Sequence, residues 1–378
     1  MKIVQARKFK NKEWEYKPPK SELQNPLVFI FADRMLLENE IFYENVKANF
    51  NYEHLIFGST SGEIIGENVH QDSAVVTAIE FEQSSFEIRR ANILDYDKNS
   101  HALGEHLIKS LPKVNLKHVL IVSEGSYTNG SELIKGLQTH LAPNVLLTGG
   151  MCGDNDRFEK TFVSYQHRPT QGEIIIIGLY GESLEITCSS SGGWIPFGPE
   201  RTITKAEGNI LYEIDHMPAL DLYTKYLGDK AKELPKASLF YPLNITAESK
   251  TEPVIRTILN IDENNNSMIL AGDVPLNAKV QLMMASVDSL VHGAAEAATM
   301  AMKNRTKAPQ LAFLVSCIGR KLVMDQRVEE EIEEIKLIIG DHANISGFYS
   351  YGEMAPLQDQ QTCELHNQTM TLTLISEK

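Results

Sequence analysis

The sequence predicts an α/β protein: two related α/β domains with mixed sheets flanked by helices, and an antiparallel extension in the middle of the chain. Three observations predict it. Short apolar runs of strand length alternate with amphipathic stretches of about 10–15 residues in the first and last thirds. Between those thirds, strand-like runs follow one another with few helical patterns, as in antiparallel sheets. A small pattern also occurs twice: HLIFGSTSGEII at 54–65 and ISGFYSYGEMAPL at 345–357. In each copy an apolar run gives way to Ser, one or two further residues, and Gly-Glu.

Taken in order, residues 1–25 are basic and polar around Pro18-Pro19 and read as a loosely held, flexible arm. LVFIFA at 27–32 is a buried strand, and Leu36, Leu37, Ile41, Val46 and Phe50 mark a helix over 34–50. The strand at 54–57 follows, then 73–81 and 86–93 as paired strands. A helix at 101–111 ends before Pro112. The strand 118–122, a helix over 131–141 and the strand 145–147 lead into Thr148-Gly149-Gly150-Met151-Cys152-Gly153-Asp154. Strands at 162–166, 173–180 and 185–189 open the middle region. Strands at 200–208 and 209–214 come next, then a helix at 219–227. DENNNS at 262–267 is a turn. Alternation returns with a strand at 279–285, an apolar-faced helix at 287–302, a strand at 311–315, a helix at 326–339 and a strand at 345–349. Thr369–Ile375 closes as an edge strand.

The bulk numbers narrow the function. At 378 residues the chain exceeds one ordinary core, so two domains of roughly 150–200 residues are expected. They are read as 26–200 and 201–378. A net charge of −14 argues against a nucleic-acid partner, which needs clustered Lys and Arg. No apolar run approaches the ~18 residues that span a bilayer, so no membrane insertion is expected. The N-terminus lacks an apolar signal segment. Cys152, Cys188, Cys317 and Cys363 show no C-x-x-C spacing, which fits reduced thiols and a cytoplasmic location.

Strand ends are where α/β sheets bind ligands. If the strands at 279–285, 311–315 and 345–349 run parallel, their ends gather Ser286, Asp288, Cys317, Arg320, Tyr351, Gly352 and Glu353. The first half collects Asp33, Ser59, Ser61, Gly62, Glu63, Ser123 and Glu124 with Gly149, Gly150 and Asp154. Arg320 suits a carboxylate by a bidentate pair, and Glu63 or Glu353 suits an ammonium. A zwitterion, and so an amino-acid-like or other small polar ligand, fits this set better than a nucleotide. Gly149–Gly153 does not follow G-x-G-x-x-G, and there is no P-loop, so no cofactor is expected. His101/Glu105 and His292/Glu296 are helical i, i+4 pairs without further ligands, so no metal is expected. The competing class is an enzyme, a hydrolase or transferase using Cys317 or a strand-end serine.

Five segments resemble one family: GSTSGEI at 58–64, TGGMCGD at 148–154, TITKAEGNILYEIDHMPALDLYTKYLG at 202–228, LVSCIGR at 314–320 and SGFYSYGEMAPL at 346–357. The chain is similar over about residues 27–375 to the FIST family of bacterial and archaeal sensor proteins, with its FIST N and FIST C domains. The resemblance implies a sensory input module that binds a small ligand in signal transduction. Other members carry an output domain. Nothing after residue 378 supplies one here, so a stand-alone sensor acting through a separate signalling output protein is expected.

Overall fold

The computed structural model describes all residues except 11, 19–20, 248–252, 357–361 and 378, so Pro19 and Leu357 lie outside the described residues. Fifteen strands form three repeats of five. The first repeat contains β1 (Lys2–Phe9), β2 (Leu27–Ala32), β3 (His54–Ser59), β4 (Glu63–Ile65) and β5 (Ser73–Glu80). The second contains β6 (Ser85–Asn92), β7 (Leu116–Ser123), β8 (Leu146–Met151), β9 (Val163–Tyr165) and β10 (Glu173–Tyr180). The third contains β11 (Leu184–Ser191), β12 (Leu311–Cys317), β13 (Asn344–Ser350), β14 (Gly352–Pro356) and β15 (Met370–Glu377).

Each repeat is wired the same way. Its second and third strands are parallel: β2 with β3, β7 with β8, β12 with β13. Its fifth strand returns antiparallel beside the second, and its first pairs with the fifth. The fourth strand leaves for another sheet. β4 joins β13, β9 joins β3 and β14 joins β8, closing a cyclic exchange among three sheets. Short edge strands at 15–17, 363–366 and 68–70 complete six strands in each.

Burial explains the layering. Leu27, Phe29, Phe31, Leu120, Val122, Phe313, Val315 and Phe348 come from all three sheets and pack into one shared core. Phe31 and Phe348 lie 4.6 Å apart there, a tilted ring pair. The outer faces are covered by helices: Glu40–Asn49 on the first sheet, Ser100–Ser110 and Gly130–Gln138 on the second, and Val287–Met302 and Glu330–Ile339 on the third. Strands covered on both faces read as unbroken apolar runs, as EIIIIGLY does in β10. Asn39, Asn99 and Asn129 start their helices by accepting N–H bonds in the first turn.

The antiparallel extension is an inserted subdomain. Ile195–Glu207, Ile210–Ile214, Leu243–Thr246, Ser267–Leu270 and Lys279–Met284 belong to its eight-stranded sheet, and helix Ala219–Leu227 packs on it.

Five expectations are corrected. The supposed arm supplies β1, paired over its whole length with β5, because Val4 and Ala6 bury under the outer helix. The runs at 73–81 and 86–93 are not partners: β5 lies in the first sheet and β6 in the second. The three strands that open the middle region go one to each sheet. β15 is central, between β11 and β12, and its residues are buried throughout. Lys279–Met284 pairs inside the inserted sheet, so Ser286 and Asp288 sit at a helix start away from the β12 and β13 ends; Ser286 forms that helix's capping box.

Candidate functional site

The ends of the parallel strands meet where the exchanged strands cross. The ladders align Ala32 with Ser59, Ser123 with Met151, and Cys317 with Ser350. In register, the three exits read Ser59-Thr60-Ser61-Gly62-Glu63, Met151-Cys152-Gly153-Asp154 and Ser350-Tyr351-Gly352-Glu353. The doubled pattern therefore has a third copy, with Met for Ser and Asp for Glu. Main-chain bonds link the exits in a ring. Gly153 N–H donates to the Ser59 carbonyl (3.0 Å), Ser61 N–H to Tyr349 (2.8 Å) and Tyr351 N–H to Met151 (3.0 Å). Gly149, at φ +145°, must be glycine, because a Cβ there would lie 2.1 Å from the Ile121 carbonyl oxygen. A Cβ on Gly150 would meet Val315 at 2.6 Å. Both glycines serve close packing.

All three exit carboxylates are buried, and their surroundings differ. Glu353 accepts from Ser350 Oγ (2.6 Å), Thr369 N–H (3.1 Å) and Thr369 Oγ1 (3.0 Å). Burial outweighs these bonds and pushes its pKa up to about 8. Glu63 accepts from Thr60 Oγ1 and Ser73 Oγ, each at 2.5 Å, and burial raises it to about 8 as well. Asp154 is instead ion-paired, 2.7 Å from both Arg34 Nε and Arg157 Nε.

The cation facing Glu63 is Lys321, one residue beyond the arginine singled out from the sequence. Lys321 Nζ donates to the Ser61 carbonyl and to Asn155 Oδ1 (3.4 Å), and burial lowers its pKa to about 8. It also lies 5.9 Å from the Tyr349 ring centroid. Asn155 Nδ2 and Arg157 Nη2 each reach Asp33 Oδ2 at 2.8 Å. Asp33 in turn lines a surface groove of 580 Å³ with Lys8, Leu36, Ile41, Phe42 and Asp72. A polar chain thus runs from the groove through Asp33 and Asn155 to Lys321 and the first exit. Lys321, Asn155 and Arg157 carry no motif; Lys321's position one residue from Arg320 was the available signal.

The other expected residues are placed as follows. Ser59 Oγ accepts from Phe162 N–H (2.9 Å), while Ser61 Oγ is buried without a hydrogen-bond partner. Gly62 accepts the Tyr349 N–H at 2.8 Å, and Gly352 pairs with Met151. Tyr351 donates its hydroxyl to the Asn155 carbonyl (3.0 Å), and its ring stacks on Phe158 at 4.6 Å. Arg320 does not face the exits with free donors. It holds Glu331 at 2.6 Å and donates to the carbonyls of Leu290 (2.8 Å) and Gly192, with both charged side chains fully buried. Ser123 Oγ donates to the Glu124 carbonyl, and Glu124 caps the turn at 126–128. Burial pushes the Cys317 and Cys152 thiols up, so neither is a thiolate at neutral pH. Among the described residues, no group of three or more His, Cys, Asp or Glu is placed to hold a metal ion, and no helix is long and apolar enough to cross a membrane.

Comparison with known proteins agrees with this chain's order of segments. The family model for the FIST N domain matches residues 26–217, and that for the FIST C domain matches residues 219–356. An uncharacterized protein of Methanocaldococcus jannaschii is 20% identical over 356 residues, covering 82% of this chain. The chain spans 66% of that relative's length. FIST domains are associated with sensory signal transduction. The chain belongs to the FIST family, carrying its N and C domains in succession.

Proposed function

We propose that this chain is a cytoplasmic sensory protein that binds a small polar, amino-acid-like ligand and acts through a separate output protein. The observation that carries the reading is the continuity between the groove at Asp33 and the strand-exit network ending at Lys321 and Glu63. The groove offers Lys8 to a carboxylate, Asp33 and Asp72 to an ammonium, and apolar Leu36, Ile41 and Phe42 to a side chain. Pockets that pair an apolar wall with a few polar groups are the usual form of small-ligand sites. A ligand ammonium at Asp33 competes with Asn155 and Arg157 for the same oxygen, Oδ2. Release of Asn155 then changes what Lys321 holds, and Lys321 belongs to the third repeat while Ser61 belongs to the first. Ligand occupancy is thereby coupled to the packing between repeats, a hinge or shear response.

Titration calorimetry against a panel of amino acids tests this. Saturable heat is expected with wild type, at least tenfold weaker binding for Asp33→Asn, and weakened binding for Lys321→Met with an unchanged circular dichroism spectrum. Equal heat in wild type and both variants overturns the site, and no heat with any member overturns the ligand class.

A further inference from the structure

A second cavity, of 430 Å³, lies at the seam between the inserted subdomain and the second sheet. One wall comes from helix Gly130–Gln138 with Ser131, Ile134 and Lys135, and the other from Ile245, Val254 and Arg256 of the insert. Two buried arginines invite comparison here. Arg320 has a carboxylate partner in Glu331. Arg256, 5% exposed, has none within hydrogen-bonding distance among the described residues. Its donors reach only main-chain carbonyls: Leu365 at 2.8 Å, Asp273 at 3.4 Å and Ile255 at 3.5 Å. Burial lowers its pKa to about 10, which leaves it charged at neutral pH. The Asp273 carboxylate is turned elsewhere, to Lys135 (2.9 Å) and Asn129 (3.3 Å).

Beside this cation stands an unpaired polar group. Ser131 Oγ is shielded from solvent and has no hydrogen-bond partner. A single point defines their proximity: a Cβ on Gly272 would be 2.8 Å from Arg256 Nε and 3.2 Å from Ser131 Oγ. Gly272 is packed directly against the guanidinium, and a side chain there would press on both groups. Glu364, on the same cavity wall, and Asp273 act on Arg256 only through space. Among the described residues the guanidinium therefore lacks a hydrogen-bonded counter-ion, and an unpaired buried hydroxyl beside it adds to the cost of burial.

We propose that this seam binds a small monocarboxylate with an apolar body, the carboxylate taken by Arg256 and Ser131 and the body by Ile134, Ile245, Val254 and Leu365. One guanidinium binds a carboxylate in a fork, and the apolar wall favours a singly charged ligand over phosphate. The first-turn end of helix Gly130–Gln138 adds positive potential on the same side. This site is separate from the Asp33 groove, and it joins the insert to the sheets, so its occupant bridges the two parts.

The probe is 4-methylpentanoate, titrated calorimetrically into the full chain at pH 7 beside 4-methylpentanamide and inorganic phosphate. Saturable heat is expected with the acid and none with the amide or phosphate. Gly272→Ala is expected to weaken the acid at least tenfold by displacing the Arg256 guanidinium, against which its Cβ would press. Ser131→Ala is expected to weaken it about fivefold, the loss of one hydrogen bond. Asp33→Asn is expected to leave it unchanged, which separates this site from the proposed sensory groove. Urea midpoints equal to wild type establish that the variants are folded. No saturable heat with the acid, equal heat with the amide, binding of phosphate in place of the acid, or unchanged affinity in a folded Gly272→Ala overturns the proposal.

Discussion

Burial without an ion pair governs Glu353, and the consequence is a measurable pH dependence. Its folded pKa, about 8, lies above the ordinary carboxyl value, so the folded chain holds a proton that the unfolded chain releases. Its stabilising contribution is therefore complete below the ordinary value and is lost as pH rises through about 8. Over that window the group contributes a slope of about 1.4 kcal/mol per pH unit. Glu353→Gln is expected to flatten the fall in urea stability between pH 5 and 8 relative to wild type; parallel curves would refute the assignment. Glu63 has the same sign, but Lys321, lowered to about 8, acts oppositely at higher pH, so Glu353 is the clearer test. The pair Arg320–Glu331 behaves as a structural ion pair. Arg320→Met strands a carboxylate that otherwise keeps only Ser316 Oγ (3.0 Å) and Tyr349 OH (2.6 Å), and is expected to cost about 3–5 kcal/mol. Adding Glu331→Leu should recover most of that loss in urea melts, and failure to recover would mean that the pair is not the cause. The thiols give a third expectation. Cys152, Cys317 and Cys363 are buried with raised pKa values, so a thiol reagent should label them slowly in native chain and rapidly in denaturant. Fast native labelling of Cys317 would revive a nucleophile there.

At the level of elements, close backbone contact replaces side-chain packing where the second sheet's two helices cross. A Cβ on Gly136 would stand 2.2 Å from the His101 carbonyl oxygen, and one on Gly104 2.6 Å from that of Leu133. Gly136→Ala improves helix propensity by about 1 kcal/mol in isolation. The helices must nevertheless move apart, so a net loss of about 1–3 kcal/mol is expected in thermal or urea melts. A stabilised variant would show that the crossing has slack. The same physics separates what was legible in the sequence from what was not. LVFIFA, EIIIIGLY and the amphipathic 330–339 run announced their elements, because the first two are unbroken apolar runs of strand length and the third is apolar at helical spacing. The exit pattern was legible in two copies, and the third escaped because Met151 and Asp154 replace the serine and glutamate while Cys152 occupies the position between. The three-residue strands β4 and β9 are too short to show a period, and which sheet they join is decided by contacts 281 or more residues away in one case. Partner choice of that kind is a tertiary property. Lys321 was missed for the same reason: its neighbours, Ser61 and Asn155, come from other repeats. Arg320 announced a charge correctly, but not that Glu331, on a later helix, already satisfies it.

For the whole molecule, the exchange of β4, β9 and β14 makes the three sheets interdependent. Each sheet is completed by a strand from another repeat, and the shared core around Phe31, Phe313 and Phe348 includes residues from both ends of the chain. The two FIST domains are thus interlocked, and a chain divided between residues 200 and 201 would leave the second sheet without β14 and the third without β12, β13 and β15. The inserted subdomain differs. It has its own core, from Ile203 and Leu211 to Val280 and Leu282, and its sheet takes no strand from the other three. Its two ends return to one place: a Cβ on Gly193 would lie 2.0 Å from the Ser289 carbonyl oxygen, and one on Gly293 2.6 Å from Gly193 N. A short linker can therefore replace residues 195–285 without stretching the chain. That deletion takes Met283 out of the smaller cluster in which Trp194 packs with Leu290 and Met324, and removes the Gln368 bonds to Leu239 (3.0 Å) and Thr257 (3.1 Å). It leaves every strand of the three exchanged sheets in place. The deleted chain is expected to unfold in one cooperative urea transition at a lower midpoint than wild type, whereas fragments 1–200 and 201–378 are expected to show no such transition when separate. Cooperative unfolding of either fragment alone would mean that the strand exchange does not hold the sheets together; loss of the transition in the deletion chain would mean that the insert is part of the same cooperative unit.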